Sequence, residues 1–366
     1  MNDSLRSAHP LHHLAVQPLT IPAKSTKKYN TLVMIGRFQP VHNAHVEILR
    51  RAMALTRELI IIIGSAKQPR TYKNPWSSKE REMMLNNVLN QLDTGDCRVF
   101  IEHNIDTIYN DQAWAGRVQG IVSKYRLLGG RTGIIGHKKD ESTFYLDMFP
   151  QWELEEVGLI QPLNATNVRD LYFRRDANMN FIRGVVPEPV ANMLTGWMNS
   201  PERNQVISER EFVDNYKKQF SALPYAPTFV TVDAAVICSG HVLMIKRKAE
   251  PGKGLWALPG GFINADKDSS VVNAMVRELR EETGIKVPGP VLIGSIKNTR
   301  VFDAIGRSAR GRTITHAHKI MLPDGELPKV KGADDAEKAQ WVPINEVQSE
   351  ECFEDHYEMI QWAIGV

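Results

Sequence analysis

A chain of 366 residues is long for a single hydrophobic core, so two domains are the first expectation. Hydrophobic residues make up 42% and charged residues 24% of the chain, as in ordinary globular proteins, and a net charge of +3 is too small to indicate a nucleic-acid or membrane partner. Three widely separated cysteines fit a reduced, cytoplasmic compartment, and the longest apolar run, at 58–64, is too short to cross a bilayer.

Residues 1–29 are predicted to form a disordered tail. They contain His9, His12 and His13 and end near a basic pair at 27–28, with little periodicity. A targeting peptide is the alternative, because the segment is poor in acids, although it lacks an apolar signal core. The histidines have no fixed geometry, so we assign them to the tail rather than to a metal site.

Residues 30–200 alternate between apolar strands and helices. The pattern predicts strands at 31–35, 59–63, 99–105 and 132–136, separated by helices at 44–55, 77–92 and 112–125. Because polar positions do not interrupt the apolar runs, the strands should form a parallel sheet that is buried on both faces. Ligands of such α/β sheets bind beyond the carboxyl ends of the strands.

The alternation of strands and helices ends near residue 200. Prolines and a charged helix at 208–220 indicate a linker over 201–227. Residues 228–366 then carry shorter strands, predicted at 228–238, 242–246, 291–296, 313–321 and 339–342, with a strong helix at 271–283 and another closing the chain. This arrangement predicts an α+β domain that is distinct from the first.

The first candidate site directly follows the first strand, where residues 36–45 read GRFQPVHNAH. Gly36 permits a tight turn and a close backbone approach to a ligand. The helix that begins around His42 and His45 directs its amide donors and its dipole towards an anion, so a phosphate site is expected. The chain contains no Gly-x4-Gly-Lys-Ser/Thr sequence, which excludes a P-loop, and two surface histidines remain the alternative.

This segment resembles the Gly-Arg-Phe-x-Pro-x-His-x-Gly-His signature of the nucleotidyltransferase superfamily, with Ala44 in place of a glycine. A second element of that superfamily, Ser-x-Thr-x-x-Arg, is matched by residues 164–169, with Asn164 in place of serine. The resemblance implies a Rossmann-like α/β nucleotidyltransferase domain that binds ATP and Mg²⁺. It also implies catalytic roles for His42, His45 and Arg169, and substrate binding by Gly36, Arg37, Phe38, Gln39 and Thr166.

Two further segments resemble the archaeal-type nicotinamide mononucleotide (NMN) adenylyltransferases. One is NPW at 74–76 with Glu-Arg at 80–81, and the other runs from 109 to an aromatic residue at 114. An indole face suits the cationic ring of NMN, so the resemblance implies substrate binding by Asn74, Trp76 and Trp114. Core packing is the alternative for both tryptophans. The implied reaction is adenylyl transfer from ATP to NMN, giving NAD and pyrophosphate, and a different mononucleotide acceptor is the less favoured alternative.

The second candidate site is the string RELREETGI at 277–285, preceded by LPGGF at 258–262. On a helix, Glu278, Glu281 and Glu282 lie at positions i, i+3 and i+4, so their carboxylates share one face. Hard divalent cations such as Mg²⁺ remove the repulsion between such groups. A solvated acidic stripe is the alternative, but it would not require the glycine-rich segment before the helix.

These residues resemble the Nudix box, and the resemblance to a Nudix fold extends over 228–366. The first glutamate of the family pattern is missing because the loop holds two extra residues, so that Lys267 and Ser269 stand at the counted positions, with Asp266 or Asp268 nearby. The resemblance implies that a catalytic base is Glu281, Glu282 or an acid at 334–337. It further implies metal binding by Glu278, Glu281 and Glu282, and substrate binding by Gly260, Gly261 and Arg277.

Residues 302–317 resemble the stretch that follows the box in bacterial fusions whose Nudix half cleaves ADP-ribose. The resemblance therefore implies a bifunctional enzyme of NAD metabolism, which makes NAD and also hydrolyses ADP-ribose to AMP and ribose 5-phosphate with Mg²⁺, or with Mn²⁺ in its place. The alternative is a Nudix half that binds ADP-ribose or NAD without turnover and regulates the first domain. The sequence leaves a homo-oligomer open.

Overall fold

The computed structural model describes residues 27–125, 130–138, 141–158, 164–332 and 336–366. Residues 1–26 of the predicted tail, with its three histidines, therefore lie outside the described residues. Within the described ranges, no helix is both long enough and apolar enough to cross a membrane.

The first half of the chain forms a parallel sheet with helices, as its unbroken apolar strands predict. Five strands pair in the order β3-β2-β1-β4-β5. Successive β1 side chains enter the apolar clusters on opposite faces, Leu32 and Met34 on one and Val33 and Ile35 on the other. The elements are β1 (Tyr29–Gly36), α1 (Asn43–Leu55), β2 (Thr56–Ile63), α2 (Ser78–Leu89), β3 (Arg98–His103), α3 (Asp111–Tyr125), β4 (Thr132–Gly136), a 3-10 helix (Glu141–Asp147) and β5 (Glu153–Glu156).

Four helices follow the sheet, namely α4 (Ala165–Tyr172), α5 (Met179–Arg183), α6 (Glu188–Trp197) and α7 (Pro201–Lys218). The helix predicted at 208–220 begins earlier because Pro201 suits its first turn and the Ser200 hydroxyl accepts a hydrogen bond from the Arg203 backbone at 3.1 Å. The long helix α7 joins the two halves, while the domain boundaries at 200 and 228 stay a prediction.

The second half is an α+β unit built on a mixed sheet. Its main path runs β10-β11-β6-β7-β12, with β8 beside β7 and β9 beside β6, and the pair β6–β11 is parallel. The elements are β6 (Thr228–Cys238), β7 (His241–Arg247), β8 (Trp256–Ala257), β9 (Gly260–Phe262), α8 (Val271–Thr283), α9 (Gly289–Gly294), β10 (Ile296–Phe302), β11 (Arg312–Met321), β12 (Ala336–Pro343), two short 3-10 turns (Ile344–Glu346, Ser349–Glu351) and α10 (His356–Ile364).

The strand predicted at 291–296 is wrong. Residues 289–294 form the short helix α9, with a proline in its first turn, and the strand β10 begins only at Ile296. Leu292 is fully buried, whereas Val291 and Ile293 are exposed, so a single side chain of the apolar run faces the core. So short a run does not separate the helical period from the strand period.

Candidate active sites

The first site lies where β1 gives way to α1. His42 is the N-cap of α1, and its ring stacks on that of His45 with centroids 3.7 Å apart. The Nδ1 atom of His45 accepts a hydrogen bond from the His42 backbone N–H at 3.2 Å. A neutral His45 ring therefore carries its proton on Nε2.

Both histidines are neutral near neutral pH. Burial lowers the pKa of His42 to about 4, and burial together with the neighbouring His42 holds the pKa of His45 well below its usual value. The Nδ1 atom of His42 is buried without a hydrogen-bond partner among the described residues. The pair can therefore offer N–H donors to a phosphate but does not bring a fixed positive charge.

A buried arginine joins the second motif to the first. Arg169 is 4% exposed and donates to the Gln39 carbonyl at 2.8 Å and to the Thr166 hydroxyl at 3.1 Å. Burial lowers the pKa of Arg169 to about 10, so the guanidinium stays charged. The Asn164 side chain caps α4 by accepting from the Thr166 backbone at 2.9 Å, which replaces the expected serine.

The loop at 70–76 is clamped to the first motif by Gln39. Its amide donates to the Trp76 carbonyl at 2.8 Å and accepts from the Trp76 backbone at 3.1 Å. Lys73 belongs to this loop and is exposed, and desolvation and the nearby cation of Arg37 lower its pKa. Arg37, Lys73 and Arg169 thus form a cationic group that suits a triphosphate.

Sequence reasoning missed Lys73 and Asp106 in this group. Asp106 follows β3 and accepts from the Ser65 backbone at 3.1 Å, and its negative charge faces Arg37 and Lys73. The signal that could have found it is its place just after a strand of a parallel sheet, where ligand sites form. Lys73 directly precedes the NPW motif.

Of the residues expected around the nicotinamide ring, Trp76 lies in the core, whereas Asn74 and Trp114 are half-buried. Trp76 is 1% exposed and packs among aromatic rings of the core, with centroids 5.5 Å from Phe173 and 5.9 Å from Trp197. Trp114 is half-buried beside Tyr145. The Asn74 Oδ1 atom is buried and has no partner in the described part of the chain, so it remains available to a ligand.

The second site is formed where α8 meets β9. The Gly260 backbone donates to a Glu282 carboxylate oxygen at 2.8 Å, and a Cβ atom on Gly261 would lie 2.6 Å from the Glu278 carboxyl carbon. Glycine is required because these carboxylates lie directly against the strand. Burial raises the pKa of Glu282 to about 8, with a smaller contribution from Glu278, whose own pKa burial also raises.

Asp268 supplies the carboxylate that the shifted box pattern lacked. The Arg277 guanidinium donates to its two oxygens at 2.9 and 2.6 Å. This ion pair lowers the pKa of Asp268 to about 2. Arg277 also donates to Glu278 at 2.8 Å and to Glu281 at 2.9 Å. None of these contacts involves Ser269 or Lys267, the residues at the counted positions of the box.

Two of the three predicted metal ligands lie close together. The carboxylates of the buried Glu282 and the half-buried Glu278 repel each other and resist ionisation, and a hard divalent cation would relieve this repulsion. Glu281 is turned towards Arg277 and solvent. Within the described ranges, no group of three or more His, Cys, Asp or Glu side chains is arranged to hold a metal.

A buried acid and a buried histidine that the sequence reasoning missed lie behind Gly260. The Asp233 carboxylate is 3.9 Å from the His356 Nε2 atom, and the His356 Nδ1 atom accepts from the Leu258 backbone at 2.9 Å. Burial lowers the pKa of His356 to about 3 and raises that of Asp233. Asp233 is a polar residue inside an apolar strand, which was the available signal. Of the acids proposed as a base at 334–337, Asp334 and Asp335 lie outside the described residues.

The arginines at 302–317 have different roles. Arg307 forms a buried bidentate pair with Asp355 at 2.8 and 2.7 Å and is therefore a structural tie. Arg312 donates to the Asp303 carbonyl. Arg310 lies 4.9 Å from the centre of the Phe262 ring, at the edge of the second site.

Comparisons with known proteins divide the chain in the same way. A cytidylyltransferase-like family model matches residues 33–170, and a NUDIX domain model matches residues 227–363. The nicotinamide/nicotinic acid mononucleotide adenylyltransferase of Acinetobacter baylyi is 36% identical over 174 residues, which cover 47% of this chain and 89% of that relative. The ADP-ribose pyrophosphatase of Methanocaldococcus jannaschii is 36% identical over 121 residues, which cover 33% of this chain and 65% of that relative.

Solved structures from Francisella tularensis align with both halves at once. One of them is the crystal structure of a bifunctional NMN adenylyltransferase/ADP ribose pyrophosphatase, complexed with AMP and a Mn ion. The alignment has a TM-score of 0.83 and 32% sequence identity, and it covers 92% of this chain and 98% of that one.

Proposed function

The chain belongs to the family of bifunctional NMN adenylyltransferase/ADP-ribose pyrophosphatases, and we propose that its first site makes NAD from NMN and ATP while its second hydrolyses ADP-ribose to AMP and ribose 5-phosphate. The observation that carries the proposal is that one chain contains both a stacked histidine pair beside a cationic group and the Glu278 and Glu282 carboxylates against a glycine-rich strand.

In the first reaction, the phosphate of NMN attacks the α-phosphorus of ATP and pyrophosphate leaves. This in-line transfer depends on positioning and charge neutralisation. His45 donates from Nε2 to a phosphate oxygen, and Lys73 and Arg169 neutralise the outer phosphates as charge moves onto pyrophosphate. A bound Mg²⁺ would supply further charge neutralisation between the phosphates.

In the second reaction, water attacks one phosphorus of the diphosphate in ADP-ribose, and the bond from that phosphorus to the bridging oxygen breaks, which leaves AMP and ribose 5-phosphate. Glu278 and Glu282 are the residues that would hold a divalent cation, which would lower the pKa of water and shield the phosphates. Arg277, fixed by Asp268, keeps the Glu278 side chain in place. Arg310 is the cation that we assign to the diphosphate.

The hydrolase is tested by a magnesium-dependent panel that offers ADP-ribose, NAD, NADH and diadenosine compounds to the purified chain. We expect AMP and ribose 5-phosphate chiefly from ADP-ribose, and a loss of this activity in a Glu282→Gln variant. NAD formation from NMN and ATP, which is monitored through the release of pyrophosphate, tests the first site in the same preparation. Equal turnover of another mononucleotide would contradict NMN as the preferred acceptor.

A sensing role for the second half is the competing hypothesis. The Arg277 contacts with Glu278 and Glu281 favour it, because they occupy two of the three predicted metal ligands. Calorimetric binding of ADP-ribose without any hydrolysis across the panel would establish the sensor and refute the hydrolase.

A further inference from the structure

A buried carboxylate on the connecting helix is not used by either reaction. Glu209 lies on α7 and is 7% exposed. It accepts a hydrogen bond from the Tyr72 backbone N–H at 2.8 Å, and its carboxylate also interacts with the backbone N–H of Gly252 in the second half. A buried acid is costly unless it is hydrogen-bonded, so the hydrogen bond from Tyr72 fixes the Tyr72 backbone relative to α7.

Tyr72 is the residue through which this contact reaches the first site. Its hydroxyl donates to Asp170 on α4, and the Arg210 guanidinium lies 4.9 Å from the centre of its ring. The next two residues are Lys73 and Asn74, which belong to the cationic cleft and carry the free Oδ1 atom. A shift of the Tyr72 backbone therefore moves both of these ligand-facing residues.

Two further features restrict the surroundings of the Glu209 carboxylate, namely the anchoring of α7 and the loop that contains Gly252. Arg203, which lies earlier on α7 than Glu209, donates to the carbonyls of Tyr172 and Arg174 at 2.8 and 2.7 Å, which fixes α7 against the first domain. Gly252 has a φ of +76°, and a Cβ atom there would lie 2.3 Å from the Phe353 ring, so its loop has little freedom.

We propose that Glu209 is a positioning residue for the first site, which acts through the Tyr72 backbone to hold Lys73 against the nucleotide phosphates and the Asn74 Oδ1 acceptor against an N–H or O–H group of the bound substrates. This role rests on the proposed adenylyl transfer. It assigns to the connecting helix a part in substrate binding that neither family motif contains.

The experiment compares Glu209→Ala, which removes both acceptor oxygens, with Glu209→Gln, which keeps one. We expect the KM for ATP and NMN to rise about 10-fold in Glu209→Ala with kcat changed less than about 3-fold, and an intermediate rise in Glu209→Gln. Glu211→Ala is the matched control, because Glu211 lies on the same helix but is exposed and pairs with Arg175. It should behave as the unchanged chain.

Hydrogen exchange of the peptide that contains Tyr72 gives a readout that does not depend on turnover. Faster exchange in Glu209→Ala than in Glu211→Ala supports the proposal, and so does weaker ATP binding by calorimetry. If the unchanged chain makes no NAD, the proposed function fails, yet exchange and ATP binding still test the role of Glu209.

Unchanged KM, ATP binding and Tyr72 exchange in Glu209→Ala would overturn the proposal. So would an equal effect of Glu211→Ala. If Glu209→Ala does not fold, Glu209→Asp keeps the carboxyl group but shortens the reach by one methylene, and the same measurements on it decide the question in the same way.

Discussion

At the scale of single residues, His45 shows how local bonding sets a chemical role. Its Nδ1 atom is occupied by the His42 backbone N–H, and burial keeps the ring neutral. The Nε2 atom is then a donor whatever the pH near neutrality, so the positive charge of the site comes from Arg37, Lys73 and Arg169.

Replacement of His45 by alanine should abolish adenylyl transfer while ADP-ribose hydrolysis persists. Loss of a donor to developing charge lowers kcat by about 100-fold or more, and the second site lies on another sheet. NAD formation and AMP release measured in one preparation check this result. Joint loss of both activities would refute separate sites.

At the scale of elements, the loop between β9 and α8 is held by an ion pair, and this contact does not depend on a fixed residue spacing. Asp268 accepts from the Asn264 backbone at 2.8 Å and from Arg277 on α8, so the longer loop still presents a carboxylate to that arginine. The same guanidinium also donates to Glu278 and Glu281, so the pair with Asp268 fixes Arg277 where it orients both of these carboxylates.

Replacement of Asp268 by asparagine should therefore lower the rate of ADP-ribose hydrolysis by roughly 10- to 100-fold, the usual cost of losing a group that orients a ligand side chain. Asp266→Asn in the same loop is the control and should have little effect, because Asp266 is exposed. Magnesium titrations of both variants measure the effect. Equal activity of the two would exclude an orienting role for Asp268.

At the scale of the whole molecule, the loop before α3 fastens the two halves together. The Tyr109 hydroxyl donates to Asp355 at 2.7 Å, and the Ile108 backbone donates to Glu358 at 3.1 Å. The Tyr109 ring packs edge-on against Phe302 with centroids 4.9 Å apart. Tyr109 was counted with the nicotinamide segment by resemblance, and the structure places it at the contact between domains instead.

Tyr109→Ala should uncouple the unfolding of the two halves. Asp355 keeps its partner Arg307, so the second half stays folded while the bridge is lost. We expect scanning calorimetry to show one transition for the unchanged chain and two for Tyr109→Ala, with a smaller effect in Tyr109→Phe. Tyr225→Ala, at a residue that is 85% exposed, is the control. A single unchanged transition in Tyr109→Ala would contradict a coupling role.

Elements with long, unambiguous apolar patterns were determined by the sequence itself. The β-strand at 228–238 and the helix at 271–283 match the structure at both ends. Motif spacing likewise predicted that His42 and His45 lie at a helix start, because a capped helix is a local structure. The short strands β5, β8 and β9 were missed, since brief segments carry too few side chains to show a period.

Contacts between distant segments were decided by the tertiary structure. The sequence could not show that Asp268 rather than Asp266 pairs with Arg277, that Trp76 lies in the core, or that Lys73 joins Arg169. Each of these depends on where a loop is placed in space, and loop position follows from packing between elements far apart in the chain. Local sequence therefore determined the chemistry available to this protein, and long-range packing determined which groups share a site.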